Sequence, residues 1–415
     1  MHLTEDETFM ISCAAPPAIA MAMRILTETA RLMGADRLVE ITNAHIDGCV
    51  YFADSGVFFA EKLRDLGARV SVPATLNVGA LDLLRPDLVR ASRHALDMAQ
   101  RLMTAYVDMG CTASWTCAPY QAGYRPGLGE QIAWAESNAI VFANSVLGAR
   151  TNRYGDYFDI CAAITGRAPY TGFHITENRY ATILIDLSGL PAALLGEEAF
   201  YPVLGAWLGR TVGGAVAAFK GMPADVSEDC LKALAAASAS TGAVALFHVI
   251  GVTPEAPDQA QAFGGRPPEE IIRPSLQDMR TARDQLSTTV ASDGIDCVAL
   301  GSPHFSIDEC RQLAALCKSR KFCRPVYVCT RHDVYAALGG DRETIEAAGA
   351  TFVVGTCVVV APILKQSSGV LMTNSGKFAH YSPSTVGHDV VYGSLLDCVR
   401  SAVTGNVDRD EELWH

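Results

Sequence analysis

Hydrophobic and polar positions alternate along the chain in a way that predicts strands, polar loops and helices in repeated succession. In the first third, apolar residues at helical spacing predict helices over 18–33 and 55–66 and a long helix over 91–107. Short apolar runs predict strands over 38–41 and 69–72. This order is typical of α/β proteins, in which the loops after strands carry the chemistry.

The same alternation continues to the end of the chain. The further predicted elements are helices over 158–165, 203–214, 227–240, 275–286, 308–318 and 332–338, with strands over 180–185, 297–300, 326–329 and 352–354. A turn is predicted over 166–169, and residues 253–271 are the most loop-like segment. We expect approximate subdomains at 1–185, 186–290 and 291–415, since the chain exceeds the size served by one small core.

One predicted helix carries an unusual set of polar residues. Glu136, Ser137, Asn144 and Ser145 fall at a spacing that places them on one side of an otherwise apolar helix. Two interpretations stay open: the polar side faces a binding site, or it is the solvent-facing side of an ordinary amphipathic helix.

Charge and hydropathy exclude several classes of protein. The net charge is −12 and no Lys/Arg cluster occurs, which argues against a nucleic-acid partner. No apolar run is long enough for a membrane span, and the polar, acidic first ten residues do not resemble a signal peptide. We therefore expect a cytoplasmic protein without a membrane partner.

The thirteen cysteines point to buried thiols together with a metal or cluster site, because disulfides are rare in the cytoplasm. Cys117 lies in TCAPY, where Pro119 prevents regular helix and leaves the thiol on a loop. Cys357 follows a predicted strand far along the chain. Widely separated loop cysteines suit an iron–sulfur cluster with an open coordination position.

Polar residues collect where predicted strands end. These positions offer His45, Asp47, Gly48, Asn77, Cys117, Glu136, Ser137, Ser302, His304, Cys357, Ser375 and Lys377. For His45 a structural and a functional role are equally supported by the sequence. Arg150 likewise can bind an anion or cap a helix end.

The chain resembles the aconitase X family over nearly its whole length. The resemblance is carried by AHIDG, TLN, TCAPY, IAWAESNAIVFANSVLGARTNR, GSPHFS, GTCVVVAPI and TNSGKFAHY. It implies an aconitase-like, multi-subdomain α/β architecture and the activity of a hydro-lyase. Family members occur as one fused chain or as two subunits, and residues 1–415 resemble the large subunit. A heterodimer with a small subunit carrying the swivelling domain is therefore implied.

The resemblance also implies an iron–sulfur cluster held by cysteines from three loops. Two of these positions match Cys117 and Cys357, whereas the third is Ser302 where archaeal members have cysteine. Archaeal members act on phosphomevalonate. The chain is similar instead to bacterial members that resemble cis-3-hydroxy-L-proline dehydratases of hydroxyproline catabolism, which implies a two-iron (2Fe-2S) cluster with Ser302 as a weak ligand.

Dehydration of 3-hydroxyproline removes the proton on the carbon that bears the carboxylate and expels the neighbouring hydroxyl. The enamine that forms tautomerises to the cyclic imine 1-pyrroline-2-carboxylate. Under this resemblance the catalytic candidates are Glu136, Ser137, Lys377 and His45, and the substrate-binding candidates are Asp47, Gly48, Asn77, Asn144, Arg150 and Ser375. Glu136 either pairs with the ring ammonium or transfers a proton, and Lys377 suits the substrate carboxylate. The family resemblance implies a serine base on the small subunit.

Two alternatives remain. A phosphomevalonate dehydratase has the same fold, but the acidic balance and Ser302 weigh against it. A cluster-free scaffold is compatible with the loss of one cysteine. The retained Cys117, Glu136, Cys357 and Lys377 weigh against a scaffold, because dispersed polar residues on loops cost stability.

Overall fold

A computed structural model describes residues 1–290, 294–366 and 368–415. The chain divides into two compact units, of which unit 1 comprises Met1–Leu81 and Ala91–Tyr180 and unit 2 comprises Asp82–Arg90 and Ala181–His415. Each unit alternates strands and helices, and this confirms the predicted α/β class.

Unit 1 is built around a short parallel sheet. Its helices are α1 (Glu5–Ile11), α2 (Pro17–Leu32), α3 (Asp54–Asp65), α4 (Arg93–Asp108), α5 (Ser137–Phe142) and α6 (Phe158–Thr165). Its strands are β1 (Leu38–Glu40), β2 (Ala44–Ile46), β3 (Ala74–Leu76), β4 (Ala133–Trp134) and β5 (Arg167–Pro169). Strands β3, β2 and β4 pair in that order, all parallel, and β1 pairs antiparallel with β5.

The helices of unit 1 follow from local sequence and then bury one face. Pro17 occupies the first turn of α2, where its missing N–H costs nothing. The Ser92 side chain accepts the Ala95 N–H and caps α4. Helix α6 packs against α2 and against β2, so the sheet is covered by apolar side chains.

Unit 2 contains two parallel sheets. Its helices are α7 (Ala192–Leu195), α8 (Phe200–Val212), α9 (Glu228–Thr241), α10 (Gln259–Ala262), α11 (Leu276–Asp284), α12 (Ile307–Cys317), α13 (His332–Ala337), α14 (Gly340–Ala348), α15 (Gly376–Thr385) and α16 (Leu395–Thr404). Its strands are β6 (Ile183–Asp186), β7 (Ala217–Lys220), β8 (Phe247–Val249), β9 (Glu270–Ile272), β10 (Cys297–Phe305), β11 (Val326–Thr330), β12 (Ala350–Val354), β13 (Gly369–Thr373) and β14 (His388–Tyr392). One sheet has the order β8-β7-β6-β9 and the other β12-β11-β10-β13-β14.

Every helix in the described part of the chain is too short or too polar to cross a membrane.

Two local predictions were wrong. The strand predicted over 69–72 lies at Ala74–Leu76 instead, because the Val70 and Ser71 amides donate to carbonyls outside the parallel sheet. The turn predicted over 166–169 is mostly strand, since Arg167–Pro169 pairs with β1. Backbone partners far along the chain decided both cases, and local propensity does not report them.

The segment predicted as loop over 253–271 is only partly irregular, because it contains α10 and the start of β9. The helix predicted over 158–165 is α6, with the same bounds.

Candidate active site

Three predicted site residues lie together at the carboxyl ends of adjacent strands in unit 1. Asp47 follows β2, Asn77 follows β3 and Glu136 follows β4. The Asn77 side-chain amide donates to the Asp47 carboxyl group, and the Glu136 charge acts on Asp47. Ligands of open α/β sheets bind at this edge, and the arrangement therefore suits a polar substrate.

The turn after β2 is held by a residue that the sequence analysis did not single out. Asp159 Oδ2 accepts the Asp47 N–H at 2.7 Å and the Gly48 N–H at 3.0 Å, while Oδ1 accepts the Ile160 N–H at 2.6 Å. Burial raises the pKa of Asp159 to about 7. A Cβ at Gly48 would lie 2.9 Å from Oη of the buried Tyr106, so a larger residue there would force Tyr106 to shift. The available sequence signal was an acidic residue in the first turn of a helix.

The hydrogen bonds that the Glu136 side chain accepts suit an ionised carboxylate. It precedes α5, and its Oε2 accepts the Ala139 N–H at 2.7 Å. The Ser137 hydroxyl donates to Glu136 Oε1 at 3.3 Å. Both oxygens thus act as acceptors at a helix N-terminus, where negative charge is stabilised. This hydrogen bond connects Ser137 to Glu136.

Asp47 has the opposite electrostatic environment. Burial raises its pKa to about 8, and the charges of Glu136, Asp156 and Asp159 act in the same direction. The Asn77 hydrogen bond opposes this rise. The Asp47 residue is half-buried, so part of it is accessible to solvent.

His45 is a neutral imidazole with a defined tautomer. Its Nδ1 lies 2.8 Å from Thr75 Oγ1, whose hydroxyl donates to the Ala44 carbonyl at 3.4 Å. The Thr75 oxygen therefore accepts, and the proton of His45 lies on Nδ1. Burial lowers the pKa of His45 to about 4, against a smaller opposing effect of Glu136. His45 Nε2 is buried and has no hydrogen-bond partner among the described residues.

Asn144 and Arg150 belong to the end of the predicted polar helix. Helix α5 continues as a π-helix over Ala143–Leu147, which changes the register, so the predicted polar residues do not share one regular helical side. Asn144 is buried, donates to the Thr151 carbonyl at 2.9 Å and accepts the Thr151 N–H at 3.0 Å. Arg150 Nη1 donates to the His174 carbonyl at 3.4 Å.

In unit 2, Ser375 and Lys377 begin α15 directly after β13. Ser375 Oγ accepts the Phe378 N–H at 3.0 Å, and its hydroxyl donates to the Ser302 carbonyl of β10. Lys377 is half-buried in the first helical turn, where the helix dipole favours an anion over a cation. Ser302, Ser375 and Lys377 line a cavity of about 890 Å³ within unit 2. Such a combination suits a carboxylate.

Cys357 lies on the loop after β12, and this loop contacts strand β10. The His304 ring donates through Nε2 to the Thr356 carbonyl at 3.0 Å and connects the two elements. Cys357 is buried, and the Val359 N–H donates to its Sγ at 3.3 Å. Hydrogen bonds of this kind tune thiolates that bind iron–sulfur clusters, so the chemistry of this loop fits such a ligand.

Cys117 is the candidate thiol ligand in unit 1. It is buried before the Pro119–Ala122 turn, and the Asn138 side chain donates to its carbonyl at 3.0 Å. Among residues 1–290, 294–366 and 368–415, no three His, Cys, Asp or Glu side chains form a group able to hold a metal ion. The fit of this chain to an iron–sulfur cluster therefore rests on two individual loop thiols, those of Cys117 and Cys357.

A buried ion cluster also lines the unit 2 cavity and was missed by the sequence analysis. Lys232 is 1% exposed, and its Nζ donates to Asp229 at 2.8 Å, to Glu309 and to the His304 carbonyl at 3.3 Å. A lone lysine in the Ala-rich sequence of α9 was the signal, because a charge on an apolar helix needs a partner.

Comparison with known proteins shows the family of the chain. Three family models match in order: Aconitase X first domain over residues 1–177, Aconitase X second domain over 181–284 and Aconitase X third domain over 295–404. The crystal structure of Thermococcus kodakaraensis aconitase X in its holo-form is similar, with a TM-score of 0.87 and 32% identity. The alignment covers 97% of the chain and 100% of that structure.

Curated relatives fall into two groups of dehydratases. The chain is 45% identical to cis-3-hydroxy-L-proline dehydratase of Pseudomonas aeruginosa, over 96% of the chain and 69% of that protein. It is 40% identical to the enzyme of the same name from Hypocrea jecorina, over 98% and 70%. It is 38% identical to the phosphomevalonate dehydratase large subunit of Methanothermobacter thermautotrophicus, over 96% and 98%.

Proposed function

The chain belongs to the aconitase X family, and from this premise we propose that it is the large subunit of a cis-3-hydroxy-L-proline dehydratase. The observation that carries the proposal is the 45% and 40% identity to two enzymes of that name. Both relatives extend beyond the matched region, and the archaeal relatives are named large subunits. We therefore propose a heterodimer with a small subunit. We also propose that this heterodimer is located in the cytoplasm.

Glu136 is the proposed partner of the substrate ring ammonium. Both of its oxygens already accept hydrogen bonds in the ionised form, so it is better suited to hold a cation than to release a proton. Asn77 and the Gly48 turn orient the substrate next to it. His45 accepts a hydrogen bond through its bare Nε2, because the imidazole is neutral at physiological pH.

Lys377 is the proposed partner of the substrate carboxylate. Its position in the first turn of α15 adds a full positive charge to the partial positive charge of the helix N-terminus. A bound carboxylate stabilises both charges at once. Ser375 contributes by capping this helix and by tying it to Ser302.

Cys117 and Cys357 are the proposed thiolate ligands of an iron–sulfur cluster, with Ser302 as a weaker third candidate. The N–H donated by Val359 to Cys357 Sγ supports this role. A bound cluster supplies Lewis-acid polarisation of the substrate hydroxyl. Because Ser302 stands where the resemblance expects a third cysteine, we propose the two-iron (2Fe-2S) type.

The test is anaerobic co-expression with the small subunit, followed by assays of cis-3-hydroxy-L-proline and phosphomevalonate on the same preparation. We expect the cyclic imine from hydroxyproline and about two irons per complex. Turnover of phosphomevalonate alone would contradict the proposed substrate. A colourless, iron-free complex without turnover would favour the scaffold.

The ligand assignment has its own matched pair of variants. Cys357→Ala should remove both iron and turnover, whereas Cys323→Ala replaces an exposed thiol and should retain both. Full iron content and activity in Cys357→Ala would exclude Cys357 as a ligand.

A further inference from the structure

We infer that Asp47 is a catalytic residue that donates its proton to the departing hydroxyl oxygen of the substrate. The inference rests on the proposed dehydratase function and gives Asp47 a role beyond substrate binding. It stands on the geometry of the strand ends in unit 1.

Two carboxyl groups stand at neighbouring strand ends, and only one of them is arranged as an anion. Glu136 caps α5 and accepts hydrogen bonds on both oxygens. Asp47 accepts one side-chain amide, from Asn77, and this contact engages only Oδ1. Neighbouring carboxyl groups resist simultaneous ionisation, so the proton belongs on Asp47.

The groups that face Asp47 strengthen this assignment. Glu136 comes from the end of β4, Asp156 from the turn before α6 and Asp159 from the first turn of α6. Burial, together with the negative charge that these three groups can carry, raises the pKa of Asp47 to about 8.

The remaining titratable neighbours stay uncharged. His45 has its pKa lowered to about 4 by burial, and burial raises the pKa values of Cys49 and Tyr106 well above their usual ranges. None of these neighbours supplies a cation that would lower the pKa of Asp47. Asp47 therefore keeps its proton at neutral pH.

The proposed step conserves atoms and charge. The base accepts the proton from the carbon that bears the carboxylate, and that electron pair forms the new carbon–carbon double bond. The bond between the adjacent carbon and the hydroxyl oxygen breaks with its electron pair on oxygen. Asp47 transfers its proton to that oxygen, so water leaves, and Asp47 becomes a carboxylate that is reprotonated from solvent.

The decisive experiment compares two leaving groups in the complete complex. Hydroxide needs a proton to leave, whereas chloride does not. With cis-3-hydroxy-L-proline, Asp47→Asn should lower kcat by roughly 10²- to 10⁴-fold, the usual contribution of a positioned acid. With cis-3-chloro-L-proline the same variant should eliminate chloride at nearly the wild-type rate. Equal losses on both substrates would overturn the inference, because they indicate a structural or binding role.

Asp97→Asn is the matched control, since it removes an exposed carboxylate of α4 in the same unit that is not among the groups facing Asp47. It should retain activity on both substrates. Wild-type complex that fails to dehydrate hydroxyproline would overturn the proposed function and the inference together. An active wild type with a fully active Asp47→Asn variant would overturn only the inference.

A measurement on the wild type covers the case in which Asp47→Asn does not fold. Because the acid must be protonated, kcat for the hydroxy substrate should fall as pH rises through about 8. The chloro substrate should lack this alkaline fall. The same alkaline fall with both substrates would contradict the role of Asp47.

Discussion

Both units carry polar loops at one edge of a parallel sheet, but the side chains on these loops differ in charge between the two units. In unit 1 the edge of the β3-β2-β4 sheet carries Asp47 and Glu136, with two further carboxylates near Asp47. In unit 2 the edge of the five-stranded sheet carries Lys377, Cys357 and hydroxyl groups. Parallel strands bring loops to one edge in both cases, but the residues on those loops decide the charge.

The two regions also treat a buried charge differently. Lys232 of unit 2 is almost fully buried, and its charge is compensated by Asp229 and Glu309. Asp47 of unit 1 faces carboxylates, and its ionisation is suppressed. A compensated charge supports structure, whereas a proton held on an accessible carboxyl group is available for chemistry.

Removal of the cation in unit 2 should affect activity more than loss of the Asp159 hydrogen bonds in unit 1. Lys377→Ala should lower kcat/KM by roughly 100-fold, because a charge-assisted contact to the substrate carboxylate contributes about 1.5–3 kcal/mol. Lys377→Arg should recover part of the loss. Lys365→Ala, which removes an exposed lysine of the same unit, is the control. Steady-state kinetics of the complex measures this effect, and unchanged kcat/KM in Lys377→Ala would exclude carboxylate binding by this residue.

Loss of the Asp159 hydrogen bonds that hold the turn after β2 should have an intermediate effect. Asp159→Ala leaves the Asp47, Gly48 and Ile160 amides without their acceptor, so we expect about 2 kcal/mol of destabilisation. Activity should fall as well, because the turn that carries Asp47 loses its hydrogen bonds. Chemical denaturation and kinetics measure the two effects. An unaltered denaturation midpoint would show that Asp159 does not stabilise the turn.

The smallest effect concerns the pH dependence of stability. The raised pKa values of Asp47 and Asp159, about 8 and 7, mean that the folded chain retains protons that the unfolded chain has lost near pH 4. Their stabilising contribution is complete below pH 4 and is lost as pH rises through 7 and 8. Thermal unfolding of wild type should therefore show a falling midpoint from about pH 5 to pH 8, and the midpoint of Asp47→Asn should fall less. A steeper fall in the variant would contradict the raised pKa of Asp47.

Several features could be predicted from the sequence because they depend on local patterns. Apolar spacing was sufficient for the bounds of α6 and for most helices and strands. Polar residues after strands were sufficient to single out Asp47, Asn77, Glu136 and Lys377 as candidates. The quoted motifs were sufficient for the family, which the comparisons confirm.

The strand bounds near Pro73 and the pairing of Arg167–Pro169 were decided by distant backbone partners. The same is true of the support that Asp159 provides, which joins residues more than a hundred positions apart. A periodic pattern reports the burial of each residue along its own element and carries no information about such partners.

What the sequence by itself determined was therefore the alternation of elements, the family and the residue types available for chemistry. Only the tertiary structure decided the protonation of Asp47, the tautomer of His45 and the contact between Ser375 and Ser302. The physical reason is distance: electrostatic and hydrogen-bond energies depend on atoms a few ångströms apart, and folding sets those distances between residues that are remote in the chain.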